Sequence, residues 1–215
     1  MQCVSDLVKL RDSIIARVRH LRQVAQASTM PLSSSDARSL AFATIELDNL
    51  IVVGLRQYAK SSLLRSRTAA GLRISATVQP ASAEEAAACI YNSLSRTAYV
   101  RMGSPLAIRE KDELVLRNPK DVEKVFMEYS TSNITNLVLA LSLNSPVFTE
   151  LKICRHFFAH RAKNTFEEVR NLAANVGVVD MTSPEHFLVR GRPGTGVKFI
   201  EGWLSDVENF FDLAA

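Results

Sequence analysis

Apolar residues recur at steps of three and four along almost the whole chain, and this helical period constrains the fold more than any other feature. In the first segment, Leu7, Ile14, Val18 and Leu21 share one helical face. Alternation of apolar and polar residues, the pattern of a half-buried strand, does not persist beyond a few residues. The sequence therefore predicts an all-α fold, a single helical-bundle domain that spans residues 1–215.

Capping residues, prolines and glycines divide this pattern into separate helices. The predicted helices run from Val4 to Ala27, from Ser35 or Asp36 towards Leu64, from Ser82 to Tyr99, from Asn118 through Tyr129, from Ile134 to Leu143, over about 146–163, from Phe166 to Val176 and from about Val197 to Leu213. Residues 106–118 are predicted as a loop or short helical turn, and residues 178–189 as a connection.

Composition gives few indications of function. The chain has 26 Lys and Arg against 22 Asp and Glu, and this net charge of +4 is too mild to indicate a nucleic-acid partner by itself. Cys3, Cys89 and Cys154 are odd in number and have no paired spacing, so no disulfide framework is expected and the reducing cytoplasm is the predicted location. No signal-peptide pattern and no run of roughly 20 apolar residues is present, and we expect no membrane partner.

One stretch, Leu151–Arg161, concentrates the groups that acid–base chemistry requires. It holds Arg155, His156 and His160 and contains no carboxylate, and a Ser-Pro pair before it is typical of a helix start. On a helix, His156 and His160 lie about 40° apart around the axis, and Arg155 lies about 140° from His160. The two imidazoles therefore share a face, and the guanidinium flanks it.

These residue types match the needs of RNA cleavage near neutral pH. Histidine titrates there and can act as a base or an acid. Arginine stays charged and binds phosphate oxygens in a fork. Cleavage needs a base for the 2′-hydroxyl, positive charge at the phosphate and an acid for the leaving oxygen. This chemistry requires no metal and no cofactor, and we expect neither.

The segment Arg155-His156-Phe157-Phe158-Ala159-His160 resembles the R-x-x-x-x-H motif of the HEPN superfamily, whose members are small all-helical domains and often metal-independent ribonucleases. His156 fits the polar position after the arginine, and Ala159 fits the small position before the last histidine. The resemblance implies an endoribonuclease, with a toxin or defence effector as the expected role. It covers the motif helix closely and the rest of the chain only in general architecture.

The resemblance also implies roles and partners. Arg155 would anchor the scissile phosphate, His160 would act as base or acid, and His156 would be the supporting polar group. Two copies of the motif meet across a two-fold axis in this family, so a homodimer is expected. An antitoxin or other regulatory protein is implied only by the resemblance. Ala162 stands where one branch has a tyrosine that a partner enzyme modifies, so this chain departs from that branch.

Basic residues outside the predicted catalytic set suggest where RNA would lie. Lys152, Arg161 and Lys163 flank the motif and are the predicted RNA-binding residues. A second acid-free stretch, Asn49–Ala83, is either a phosphate-binding face or an ordinary solvated helix end. Its cations are Arg56, Lys60, Arg65, Arg67 and Arg73.

Three other interpretations of these features stay open. The arginine and histidines are also compatible with a solvated or core-facing helix surface in a non-catalytic module that binds a nucleotide, a nucleic acid or a protein. His156 and His160 have the i,i+4 spacing of a zinc half-site, but Phe157 replaces the glutamate of H-E-x-x-H and further ligands are lacking.

The loop Gly191–Gly196 has the glycine spacing of a P-loop without its lysine or preceding strand. We predict a tight turn there, whose neighbours Arg190, Arg192 and Lys198 are additional candidates for contact with RNA.

Overall fold

The computed structural model describes residues 5–28 and 30–215, and this part of the chain contains ten α-helices and one 3₁₀ turn. The helices are α1 (Leu7–Ala27), α2 (Ser34–Leu63), α3 (Ala83–Leu94), α4 (Arg96–Arg101), α5 (Pro119–Glu128), α6 (Ile134–Leu141), α7 (Val147–His160), α8 (Lys163–Asn175), α9 (Pro184–Val189) and α10 (Phe199–Ala214). Across the described residues, pairing of extended backbone is limited to three isolated bridges. The prediction of an all-α fold is therefore confirmed.

The observed helices differ from the predicted ones in several places, and α8 begins at Lys163 rather than at Phe166. The helix predicted from Ser82 to Tyr99 is interrupted at Ser95, whose φ of −143° and ψ of 51° separate α3 from α4. The motif helix ends at His160 rather than near residue 163. The connection predicted over residues 178–189 contains α9, because Ser183 caps the helix through a hydrogen bond from the His186 N–H and Pro184 occupies the first turn. The predicted start of the first helix at Val4 lies outside the described residues.

The chain divides into two compact units. Unit 1 comprises the chain up to Ile14, Ile51–Leu143 and Phe210–Ala215, and unit 2 comprises Ile15–Leu50 and Asn144–Asn209. Three of the boundaries fall within α1, α2 and α10, and the fourth lies between α6 and α7. The prediction of a single domain over the whole chain stays a prediction.

Unit 1 is built around buried aromatic side chains. Tyr58 of α2 packs against Phe126 of α5 with their ring centroids 5.4 Å apart. The Tyr58 hydroxyl donates to the carbonyl of Ala214 and accepts from the Asn133 amide, so its polar end is satisfied inside the unit. A Cβ at Gly54 would lie 2.7 Å from the Phe211 ring, so α2 carries a glycine where this ring approaches its backbone.

Unit 2 contains the motif helix α7 and the elements that position it. The residues at helical spacing along its inner face, Val147, Leu151, Cys154 and Phe158, are buried. Helix α7 packs on α8, and α8 packs on α9. No helix in the part of the chain that the structure describes combines the length and the apolar composition needed to cross a bilayer.

The segment before α5 is attached to α2 by a buried ion-pair cluster in unit 1. Glu113 lies 2.8 Å from the Lys60 Nζ and 3.0 Å from the Arg56 Nε. The side chains of Lys60 and Glu113 are each only 4% exposed, and that of Arg56 is 16% exposed. Charges this deeply buried are tolerated because they are paired.

We expect Glu113→Ala to lower the free energy of unfolding by about 3–5 kcal/mol, because it leaves two buried cations without their carboxylate. Urea unfolding followed by circular dichroism would measure this change. Glu110→Ala is the matched control, because Glu110 is largely exposed and lies 3.7 Å from Arg56. Equal effects of the two substitutions would contradict a stabilising role for the cluster.

Candidate functional site

The motif helix and α8 form a tight helical hairpin. Arg161, directly after α7, has left-handed backbone angles of φ 48° and ψ 37°, and its N–H donates to the Phe157 carbonyl. The Thr165 hydroxyl then accepts the N–H of Ala162 and donates to its carbonyl, which starts α8. Because only two residues connect the helices, residues on the facing sides of α7 and α8 lie beside each other when they are at similar distances from the turn, as Phe157 and Phe166 do.

His156 and His160 contact each other on this hairpin. Their ring centroids are 4.9 Å apart and their planes meet at 80°, so the edge of one ring faces the other. His160 is exposed and His156 is partly exposed. The structure thus brings together the two histidines that the sequence places one turn apart. Their predicted catalytic roles stay predictions.

Glu168 of α8 is a member of this cluster that the sequence argument missed. Its Oε2 lies 3.2 Å from the Nδ1 of His156, and both side chains are about half exposed. We treated the motif as acid-free because Glu168 lies twelve residues further along the chain. The hairpin brings them together, since residues 156 and 168 lie on facing sides of the two helices, each six residues from Ala162.

Arg155 forms an ion pair with Asp48 of α2, which lies in the same unit. The Nε of Arg155 is 3.5 Å from the Asp48 carboxylate, and it is buried without a hydrogen bond. The Asp48 side chain is 4% exposed and that of Arg155 is 32% exposed. The guanidinium therefore partly neutralises a buried carboxylate. Arg155 and the histidine pair thus have different partners.

The other predicted RNA-binding residues are placed in two ways. Lys152, Arg161 and Lys163 are all exposed, which is compatible with contacts to a phosphate backbone. The suggested second patch is not a single basic face, because Arg56 and Lys60 are paired with Glu113. Its acid-free sequence was misleading, since the pairing carboxylate comes from a segment that is distant in the chain.

The first turn of the motif helix is held by a buried polar network. Glu150 is 8% exposed and accepts two hydrogen bonds from Arg192 and one, of 2.8 Å, from the Trp203 Nε1. The Arg192 guanidinium also lies 4.5 Å from the centre of the Phe199 ring. This network fixes the loop before α10 against α7.

The loop Gly191–Gly196 is a closed turn, as predicted. The Arg192 N–H donates to the Val197 carbonyl, and a Cβ at Gly191 would lie 2.7 Å from the Gly196 oxygen, so only glycine fits there. The three neighbouring cations suggested as RNA contacts already have acidic partners in the protein. These pairs are Arg190 with Asp180, Arg192 with Glu150 and Lys198 with Glu201.

Among the described residues, no three His, Cys, Asp or Glu side chains are grouped so that they could hold one ion. Cys154 lies on the inner face of α7, where burial raises the pKa of its thiol. It is therefore a core side chain rather than a nucleophile.

Comparison with known proteins identifies no relative of this chain. None of the protein-family models matches the chain, and neither a curated protein nor a solved structure matches it. The interpretation of the site therefore rests on its own residues and on the motif resemblance.

Asp206 of α10 caps the start of the motif helix from outside. Its Oδ2 accepts the N–H of Val147 at 3.3 Å. Burial raises the pKa of Asp206 to about 6 and the nearby Glu150 acts in the same direction, while the Val147 N–H and Arg192 oppose them. Because the folded-state pKa exceeds the ordinary value of 3.8, the unfolded chain loses this proton first as pH rises. The Asp206 carboxyl therefore lowers stability progressively between about pH 4 and pH 6.

We expect Asp206→Asn to stabilise the protein above pH 6 by about 1–2 kcal/mol, a value reduced from the full shift because the group is partly exposed. The gain should shrink as pH falls from 6 to 4 and vanish below the unfolded-state pKa of 3.8, where the wild-type carboxyl is protonated in both states. Urea unfolding across this range would measure it, with the exposed Asp212→Asn on the same helix as control. A gain that is independent of pH would contradict the assignment.

Proposed function

We propose that this chain is a metal-independent endoribonuclease of the HEPN type, a cytoplasmic toxin or defence effector. The observation that carries the proposal is the solvent-accessible pair of His156 and His160, with a carboxylate on the first imidazole. Two imidazoles in contact can divide the roles of base and acid that RNA cleavage requires. An antitoxin or regulatory protein that restrains it remains part of the same proposal.

The chemistry follows from these groups. One imidazole removes the proton of a 2′-hydroxyl, and the resulting oxygen attacks the adjacent phosphorus. The bond from phosphorus to the 5′-oxygen breaks, and the other imidazole donates a proton to the leaving oxygen. The products are a 2′,3′-cyclic phosphate and a 5′-hydroxyl. Arg155 would stabilise the negative charge on the phosphate, and the exposed Lys152, Arg161 and Lys163 would contact neighbouring phosphates.

A homodimer is the second part of this proposal. A single motif helix offers one guanidinium and two imidazoles, and a two-fold axis near Arg155 and His160 would place two such sets around one phosphate. The exposure of His160 leaves its ring accessible for such an arrangement.

The Arg155–Asp48 ion pair favours the alternative function, a non-catalytic helical module that binds a nucleotide, a nucleic acid or a protein. In that case Arg155 serves to neutralise the buried Asp48 carboxylate, and the histidine pair is ordinary surface. The catalytic hypothesis requires the guanidinium fork of Arg155, whereas the binding-module hypothesis requires only its positive charge.

We expect His160→Ala to lower the rate of RNA cleavage by about two to four powers of ten without unfolding the protein, because the ring is exposed and acid–base catalysis has this usual magnitude. The assay uses total RNA in excess EDTA, and His20→Ala, which removes an exposed histidine from α1, is the matched control. Loss of cleavage on adding chelator would contradict the mechanism.

Arg155→Lys is the second arm of this experiment. Lysine keeps a positive charge for Asp48 but loses the fork that binds two phosphate oxygens. A folded, inactive Arg155→Lys protein supports the catalytic hypothesis. Absence of RNA cleavage by the wild-type chain under all conditions would support the binding module instead.

The composite site also predicts the oligomeric state. We expect the purified chain to be a dimer at micromolar concentration, because the two-fold arrangement implied by the motif resemblance would place a second guanidinium and a second histidine pair at the same phosphate. Light scattering combined with a cleavage assay on the same sample would measure this. A monomer that still cuts RNA would rule out the two-fold site while leaving the ribonuclease proposal intact.

A further inference from the structure

Glu168 stands in direct contact with His156 but outside the motif. Its Oε2 is 3.2 Å from the Nδ1 of His156, and the hairpin turn at Arg161 and Ala162 fixes their relative positions. An exposed pair of this kind contributes little to stability. The contact between Glu168 and His156 therefore acts on the chemistry of the imidazole rather than on the free energy of unfolding.

The contact determines which imidazole nitrogen carries the proton. An ionised carboxylate can only accept hydrogen bonds, so the Nδ1 of His156 must be the donor in this pair. In the neutral ring the other nitrogen, Nε2, then has a free lone pair and can accept a proton. The edge contact with His160 further restricts the orientation of the ring.

His186, buried in the same unit, shows the opposite arrangement. Its Nδ1 accepts the N–H of Thr182 at 3.3 Å, so the proton of its neutral ring lies on Nε2. The chain therefore contains two histidines whose neighbours select opposite tautomers. His186 has a structural position, because it lies buried on the short helix α9.

We propose that Glu168 is a positioning residue that holds His156 in the Nδ1–H tautomer and makes its Nε2 the general base for the 2′-hydroxyl. When the O2′–H bond breaks, its proton moves to Nε2. The 2′-oxygen bonds to phosphorus, the P–O5′ bond breaks, and the leaving oxygen takes a proton from His160. The carboxylate of Glu168 stabilises the imidazolium that forms on His156. The catalytic part of this inference rests on the proposed ribonuclease function.

The tautomer of a neutral imidazole ring is measured directly, and without any activity, by ¹⁵N NMR. We expect a protonated Nδ1 for His156 in the wild type and a shift towards protonated Nε2 in Glu168→Ala. His186 is the internal reference for the opposite tautomer. Glu167→Ala is the matched control, because it removes the same charge from the same helix but from a residue paired with Arg170.

The kinetic arm uses the same variants on an RNA substrate. Glu168→Ala should lower kcat by about 10-fold, a part of the usual worth of a general base, and should change KM by less than about two-fold. Glu167→Ala should leave both constants at their wild-type values. A fall in kcat with little change in KM is expected of a residue that acts through the base. A residue that only contributes to RNA binding would instead raise KM and leave kcat unchanged.

The outcomes separate this inference from the proposed function. An unchanged His156 tautomer in Glu168→Ala overturns the inference, whatever the wild type does to RNA. A changed tautomer with an unchanged kcat overturns the positioning role. If the wild type cuts no RNA, the ribonuclease proposal fails, and the NMR result alone decides whether Glu168 selects the tautomer.

Discussion

The left-handed backbone of Arg161 is the constraint on which the candidate site depends. Arg161 directly follows His160, the last residue of α7, and only two residues separate that end from the start of the next helix, α8. A shift of one residue in this turn would rotate the facing side of α8 by about 100° and would remove Glu168 from His156. Left-handed backbone costs a non-glycine residue about 1–2 kcal/mol. This cost is offset by the hydrogen bonds on either side of the turn, which involve Phe157 and Thr165.

The opposite end of the motif helix is fixed by a different kind of contact. Glu150 receives Arg192 and the indole of Trp203, and Asp206 accepts the first N–H of the helix. Between these anchors the inner face is apolar and buried, so the rotation of α7 about its axis is determined by packing. The polar side chains in the middle of α7 are therefore held by a helix that is anchored and packed. Catalytic groups need such a rigid element to keep their relative positions.

Local features of the structure could be predicted from the sequence, and long-range charge pairing could not. Helical spacing predicted the buried face of α7 and the meeting of His156 with His160, because both depend on residues within one helix. The short helix α9 was missed because six residues are too few to show a period. Glu168 becomes predictable once the hairpin turn is located. Asp48 does not, because no local pattern connects a residue of α2 with the motif.

The acid-free stretches show why such pairing escapes a sequence argument. Charge patterns along the chain describe neighbours in sequence, whereas the partners of Arg56, Lys60 and Arg155 are carboxylates from other segments. A run of cations in the sequence therefore shows only that no acidic residue lies nearby in the chain. It does not show which carboxylates folding brings next to those cations.

The ion pair between Arg155 and Asp48 has a consequence for any anion that reaches the motif. The guanidinium already faces a buried counter-ion 3.5 Å from its Nε, so an incoming phosphate meets a cation whose charge is partly offset. The Arg155 side chain is 32% exposed, and a guanidinium carries further N–H donors on its two terminal nitrogens, so an anion can bind there while Asp48 keeps its place. Arg155 would then lie between two anions, and its attraction for the second is weaker than that of an arginine without a carboxylate beside it.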